Sequence, residues 1–131
     1  MNYSGEKPSV LCVDDEIGVV RSLRWLLQEE FHVETACDAR EGLELLRRRQ
    51  FQVVISDQRM PDMTGTEFLS QVRKEQPQAM RLLLTGYSDY QAVLDSINQS
   101  EAYRFINKPW DNAELLRIVA EAASISLSTR P

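Results

Sequence analysis

Five short apolar runs, each followed by a segment of helical periodicity, constrain this chain more than any other feature. Ser9–Val13, His32–Ala36, Val53–Asp57, Met80–Leu84 and Ala102–Ile106 have the length and composition of strands. Ile17, Val20, Leu23, Leu26 and Leu27 then recur at helical spacing. Asp38 with Glu41 opens a second helix that turns Ala39, Leu43 and Leu46 inward, and Thr64 with Glu67 opens a third on Phe68, Leu69 and Val72, stopped by Pro77. Ser88 with Gln91 opens a fourth on Val93, Leu94 and Ile97. Asp111 with Glu114 caps the last, on Leu115, Ile118, Val119 and Ala122. Such alternation builds βαβ units, right-handed crossovers and a parallel sheet. Strands one, three and four are continuously apolar, as strands buried on both faces must be, whereas two and five carry polar interruptions that suit edges. The predicted architecture is a doubly wound α/β sheet in the order 2-1-3-4-5.

With 131 residues the chain has material for one domain and a real core. Residues 1–8 read as a loose leader, 9–124 as the domain, and 125–131, which are small and polar, as the start of a linker. The net charge of −5 argues against this domain gripping nucleic acid, which needs a basic face. Arg47-Arg48-Arg49 then reads as a solvated last turn favoured by the helix dipole. Cys12 and Cys37 lie in strand-like segments and are expected as small buried hydrophobes in a reducing compartment. Neither has metal-ligand spacing, and the single histidine, His32, cannot complete such a site. No signal peptide and no bilayer-length apolar run is visible, so the expected compartment is the cytoplasm, with no membrane contact.

In an open α/β sheet, chemistry gathers beyond the carboxyl ends of the strands. Strand three ends in Asp57, which taken alone would be a turn-capping residue. Strand one ends in Asp14-Asp15-Glu16, and in the predicted order Asp14 and Asp15 lie beside Asp57. Three converging carboxylates repel one another unless a hard divalent cation joins them, and Mg²⁺ suits a few carboxylates, a carbonyl and waters. Strands four and five add Thr85, a hydroxyl donor, and Lys108, a compact cation, both fit to neutralise a phosphoryl oxygen. Each piece is weak alone; four strand ends together are specific.

With these residues in place, the chain resembles a response-regulator receiver domain of two-component signalling, a chemotaxis-receiver-like (βα)5 fold of flavodoxin type, from about Val10 to Ala123. The likeness rests on Val13-Asp14-Asp15-Glu16, Ser56-Asp57 with Met60-Pro61 and Gly65, Leu84-Thr85-Gly86, and Lys108-Pro109-Trp110. It implies that Asp57 is the phosphoacceptor, that Asp14, Asp15, Asp57 and the backbone carbonyl of Arg59 hold Mg²⁺, that Thr85 is the switch hydroxyl, and that Lys108 contacts a phosphoryl oxygen. It also implies a cis Lys108-Pro109 bond, which X-Pro alone makes cheap. A sensor histidine kinase would supply the phosphoryl group. The face built from helix four, strand five and helix five would pass the change to a C-terminal output domain or support a homodimer. Asp57-Gln58-Arg59-Met60-Pro61 with Lys108-Pro109-Trp110 is similar to receivers attached to regulatory enzymes or transcriptional activators.

Two features depart from the family's commoner pattern. The switch aromatic is Phe105, which has no hydroxyl to mark either state, and Tyr103, expected on the same strand face, is the alternative reporter. Arg59 and Tyr87 are bulky and are expected to overhang the phosphoryl position and slow hydrolysis. Three other readings stand beside this one. An aspartyl-phosphate phosphatase needs an acid two residues past its nucleophile, where this chain has Arg59. A flavin mononucleotide carrier needs a Gly/Ser/Thr-rich loop where Asp14-Asp15-Glu16 would repel phosphate. A degenerate receiver would lack site residues, and all five are present. The expected role is thus a switch that catalyses only its own phosphorylation and slow dephosphorylation.

Overall fold

The structure, a computed structural model, describes residues 6–86, 88–89, 91, 93–94 and 102–129. Strands β1 (Ser9–Val13), β2 (His32–Ala36), β3 (Val53–Asp57), β4 (Met80–Thr85) and β5 (Arg104–Asn107) form one sheet in the order β2-β1-β3-β4-β5, every pair parallel. Helices α1 (Ile17–Leu27), α2 (Ala39–Leu46), α3 (Gly65–Glu75) and a C-terminal helix (Asn112–Ser128) cover it. The doubly wound, flavodoxin-like arrangement follows from the alternation that the sequence displays.

Alternation within the central strands builds two cores. Val10, Cys12, Val53, Ile55, Leu82, Leu84 and Ile106 point to α1 and the C-terminal helix. Leu11, Val13, Val54 and Leu83 point the other way, to α2 and α3. β1 and β3 are buried along their whole length, whereas β2 and β5 mix buried and exposed positions, as edges do. Each fully buried Leu or Phe of these cores contributes about 1.5–3 kcal/mol of transfer free energy.

The helix starts obey capping chemistry. Thr64 and Glu67 form the complete reciprocal box at the start of α3. Asp38 accepts from Glu41 N–H at α2, but Glu41 returns its carboxylate to Cys37 N–H, one residue before the cap. Asp111 accepts from Glu114 N–H at the C-terminal helix.

Several expectations are corrected. Ile17, the first residue of α1, is 57 % exposed, and Trp25 on the same helix is 71 % exposed. Cys12 is buried but Cys37 is exposed, since β2 ends at Ala36 and the chain turns outward before Asp38. β5 begins at Arg104 and not at Ala102. The C-terminal helix continues through Ser128, where a linker was expected to begin at 125, because Ser126 is small enough to be buried and prolong the packed stripe. Of the expected fourth helix, Gln91, Val93 and Leu94 are helical, and Ile97 lies outside the described residues.

Two glycines mark where backbone meets core. A Cβ on Gly42 would lie 2.9 Å from the Phe68 ring, and one on Gly65 would lie 2.2 Å from the Asp57 carbonyl oxygen. Gly65 is the first residue of α3, and its N–H donates to the Gln58 carbonyl at 2.9 Å. Alanine ordinarily gains up to about 1 kcal/mol over glycine in a helix. Here the clash with backbone outweighs that gain, since overpacking costs about 1–3 kcal/mol. Gly65→Ala should therefore destabilise the fold by about 1–2 kcal/mol in urea denaturation, and an unchanged or raised midpoint would contradict the close approach.

Candidate functional site

Parallel register brings four strand ends to one level. Val13 pairs with Ser56, Asp57 with Leu84, and Thr85 with Asn107. Asp14 follows β1 directly, Asp57 ends β3, Thr85 ends β4, and Lys108 follows β5, its N–H donating to the Thr85 carbonyl at 2.8 Å. Lys108 Nζ reaches Asp57 Oδ1 at 2.9 Å, Asp14 Oδ2 at 3.0 Å and Glu16 Oε1 at 3.7 Å. Asp14 is fully buried, Asp57 is nearly so, and Asp15 is exposed. One carboxylate oxygen from each of the three lies within 4.8 Å of the others. The Lys108-Pro109 bond is cis.

Burial dominates the electrostatics. Desolvation pushes the carboxyls of Asp14 and Asp57 above their ordinary value of 3.8, and the Lys108 ammonium offsets this only in part. Lys108 loses solvation too, yet its two hydrogen-bonded carboxylates raise its pKa above 10.5. The asymmetry has a simple origin. Lys108 gains two anions, while each acid shares one cation. The cluster is therefore short of positive charge. Three hard-oxygen donors with one of them open to solvent fit a small divalent cation such as Mg²⁺.

Thr85 is buried, and its hydroxyl donates to Asn107 Oδ1 at 3.2 Å, with the Ile106 carbonyl at 3.5 Å. It thus faces β5. Phe105 is half-buried against the α2–α3 core. Tyr103 does not share its face: it lies ahead of the strand, packs on the opposite core and donates to Glu121 Oε1 of the C-terminal helix at 3.2 Å. Period-two alternation applies only from Arg104 onward. Arg59 turns its guanidinium to Asp89 Oδ1 at 3.1 Å and to the Ser88 hydroxyl. Tyr87, the other expected overhang, lies outside the described residues.

Three acceptors that positioning needs were not legible beforehand. Gln58 Oε1 accepts from Thr66 N–H and the Thr66 hydroxyl, tying the residue after Asp57 to α3. Asp62 reaches from the same loop to the Ala39 and Arg40 N–H groups at the start of α2. Slight desolvation would raise the Asp62 carboxyl, but those N–H donors outweigh it and lower its pKa. Asp89 is buried and accepts from Gly86 N–H at 2.7 Å. An aspartate after a proline or in a loop carries no signal of so distant a partner.

The raised carboxyls make a sign prediction. Groups whose folded pKa exceeds the unfolded value stabilise fully below 3.8 and lose that contribution as pH rises through the folded value. At pH 7 without divalent metal the ionised pair is thus a net cost. Asp57→Asn or Asp14→Asn should raise the thermal midpoint in chelator by roughly 3–5 °C, the shift that about 1 kcal/mol produces in a domain of this size. A midpoint lowered by both substitutions would contradict the charge shortfall.

Comparison with known proteins agrees with this geometry. The family model described as "Response regulator receiver domain" matches residues 10–120. The hydrogenase transcriptional regulatory protein HoxA of Cupriavidus necator is 40% identical over 119 residues, covering 91% of this chain and 25% of that protein. The DNA-binding transcriptional regulator NtrC of Proteus hauseri is 32% identical, covering 89% of this chain and 25% of its own. The chain thus spans about a quarter of the length of these relatives. Among solved structures, the signal receiver domain of an HD domain-containing protein from Pseudomonas fluorescens Pf-5 superposes with a TM-score of 0.90 at 32% identity, covering 98% of this chain and 95% of that one. This chain belongs to the response regulator receiver domain family.

Proposed function

We propose that this receiver is a phosphorylation switch whose phosphoacceptor is Asp57. The observation that carries the reading is the meeting of Asp57, Asp14 and Lys108 at about 3 Å, beside a third acid, at the carboxyl edge of the sheet. A carboxylate oxygen of Asp57 attacks the phosphorus of a phosphohistidine in line, so an O–P bond forms while the N–P bond breaks and the imidazole leaves. Lys108 Nζ, already at that carboxylate, moves onto a phosphoryl oxygen and stabilises the charge that develops there. Asp14, Asp15, Asp57 and the Arg59 carbonyl would hold Mg²⁺, which when bound neutralises charge on the phosphoryl oxygens. Without chemistry of its own on any other substrate, the domain acts as a switch and not as a metabolic enzyme.

The response begins at Thr85. Its hydroxyl now donates to Asn107, and a phosphoryl oxygen on Asp57 is a stronger, charged acceptor. Turning toward it moves the segment after β4 and vacates space that the ring of Phe105 can enter. Moving a two-state switch nearly to completion requires the phosphoryl group to favour one state by roughly 5.5 kcal/mol. A partly dry site with Lys108 and Thr85 as donors can supply interactions of that order. Phe105 reports the change by packing alone, since it has no hydroxyl.

A sensor histidine kinase in the cytoplasm as phosphodonor, a C-terminal output domain as recipient, and pairing through β5 and its flanking helices complete the reading. Support for the output domain comes from the relatives, which are transcriptional regulators about four times as long as the matched region. No helix among the described residues is long and apolar enough to cross a membrane. The phosphatase alternative has no support in the geometry, because Arg59 stands in place of the second acid and is occupied by Asp89.

Acetyl phosphate with Mg²⁺, followed by intact mass, tests the reading. A single phosphoryl adduct should form on the native chain and be absent from Asp57→Asn. Lys108→Ala should slow its formation about 100-fold, the loss typical of a donor to developing charge. No adduct on the native chain, or an adduct that survives Asp57→Asn, would overturn it.

A further inference from the structure

Asp89 is the buried acid that the phosphoryl-transfer reading leaves without a task. Only 7 % of its side chain is exposed, and it stands outside the Asp14–Asp15–Asp57 group. One carboxylate oxygen accepts from Gly86 N–H at 2.7 Å, and the other accepts from Arg59 Nε at 3.1 Å. Its own N–H donates to the Gly86 carbonyl at 3.2 Å, so Asp89 engages both backbone polar groups of Gly86. Arg59 also engages the Ser88 hydroxyl.

The placement of the two residues gives the pair its meaning. Arg59 stands two positions after Asp57, on the loop that follows β3. Gly86 stands directly after Thr85, on the loop that follows β4. Arg59, Asp89 and Gly86 therefore form a continuous tie between the phosphoacceptor loop and the residue next to Thr85, which carries the switch hydroxyl. While the tie is closed, Gly86 N–H is fixed and Thr85 is held where its hydroxyl meets Asn107.

We propose that the Arg59–Asp89 ion pair is a latch that positions Thr85 away from Asp57 until phosphorylation opens it. This inference rests on the phosphorylation-switch reading. Conversion of the Asp57 carboxylate to an acyl phosphate adds negative charge beside the loop that carries Arg59. The guanidinium then has a second, more highly charged partner, and its hold on Asp89 weakens as the competing attraction grows. Release of Asp89 frees Gly86, and Thr85 follows it toward the phosphoryl group. A tie present in one state and absent in the other biases the equilibrium by the whole of its interaction energy. Arg59 and Asp89 are accordingly positioning residues and do not touch the reacting atoms in the resting state.

The test is a double-mutant cycle on the 131-residue chain with beryllofluoride, a phosphoryl analogue, in the presence of Mg²⁺. Binding is followed by the fluorescence of Trp110 in a background of Trp25→Phe, a surface change on α1. Asp89→Asn keeps an acceptor for Gly86 N–H and removes the charge, and Asp89→Ser does the same with a shorter side chain. Each should bind beryllofluoride about threefold to fivefold more tightly than the parent, the range that a partly exposed ion pair allows. In an Arg59→Met background, Asp89→Asn should change the affinity less than about twofold, because the latch is already gone. A merely structural Asp89 would lower affinity or leave it unchanged in both backgrounds, and either result overturns the latch. An equal gain with and without Arg59 overturns it as well. A parent chain that binds no beryllofluoride sinks the switch reading itself, and the latch with it, whereas a parent that binds normally with a flat cycle sinks the latch alone.

Discussion

Lys108 Nζ lies between two buried carboxylates, 2.9 Å from Asp57 and 3.0 Å from Asp14, and the rest of the structure can be understood as the means of keeping it there. Removing either acid from water is costly, and a single ammonium cannot repay both desolvation penalties. The site is consequently an arrangement that folding tolerates and that gains from additional positive charge. That imbalance is a functional asset. A site already satisfied by its own side chains would have no reason to accept a cation or a phosphoryl group, whereas under the proposed function this one would be improved by the first and prepared by it for the second.

The scaffold bears the cost. β1 and β3 are buried on both faces, so their carboxyl ends cannot swing, and their register sets Asp14 and Asp57 side by side. The loop after Asp57 is then pinned at three points. Gly65 allows α3 to start against the Asp57 carbonyl, Gln58 binds the first turn of α3, and Asp62 binds the first turn of α2. Orphan N–H groups at two helix starts are thereby satisfied by the loop that carries the chemistry. Opposite this rigid side stands the β4 side, where Thr85 is held by hydrogen bonds to β5 and the following turn by an ion pair to Arg59. The buried Asp57 and the hydrogen-bonded Thr85 thus stand at the ends of adjacent strands.

Most of this was legible in the residues because the signals were redundant. Apolar runs in β1, in β3 and in the Leu82–Leu84 stretch of β4 set the strand order, and strand order alone places Asp14 beside Asp57 and Thr85 beside Lys108. Thr64 with Glu67 announced α3 by a local rule that tertiary packing did not disturb. What stayed hidden depends on contacts between loops distant in sequence. Asp62 reading α2, Gln58 reading Thr66 and Asp89 reading Arg59 are side-chain choices among many available partners, and no periodicity encodes them. Periodicity also misplaced residues at element ends. Ile17 fits the helical stripe but is exposed at the start of its helix, Tyr103 fits the strand alternation but precedes the strand, and the polar run from Ser124 conceals a helix that packs through Ser126. Patterns describe the middles of elements, and the ends answer to their surroundings.

Calorimetric titration of the metal-free chain with Mg²⁺ at neutral pH addresses the central claim most directly, because it probes the charge shortfall before any phosphoryl chemistry. The account predicts saturable uptake of a single ion, abolished by Asp14→Asn and by Asp57→Asn. Absence of binding by the native chain, or binding that both substitutions leave intact, would show that these acids do not form the centre on which the structure is built.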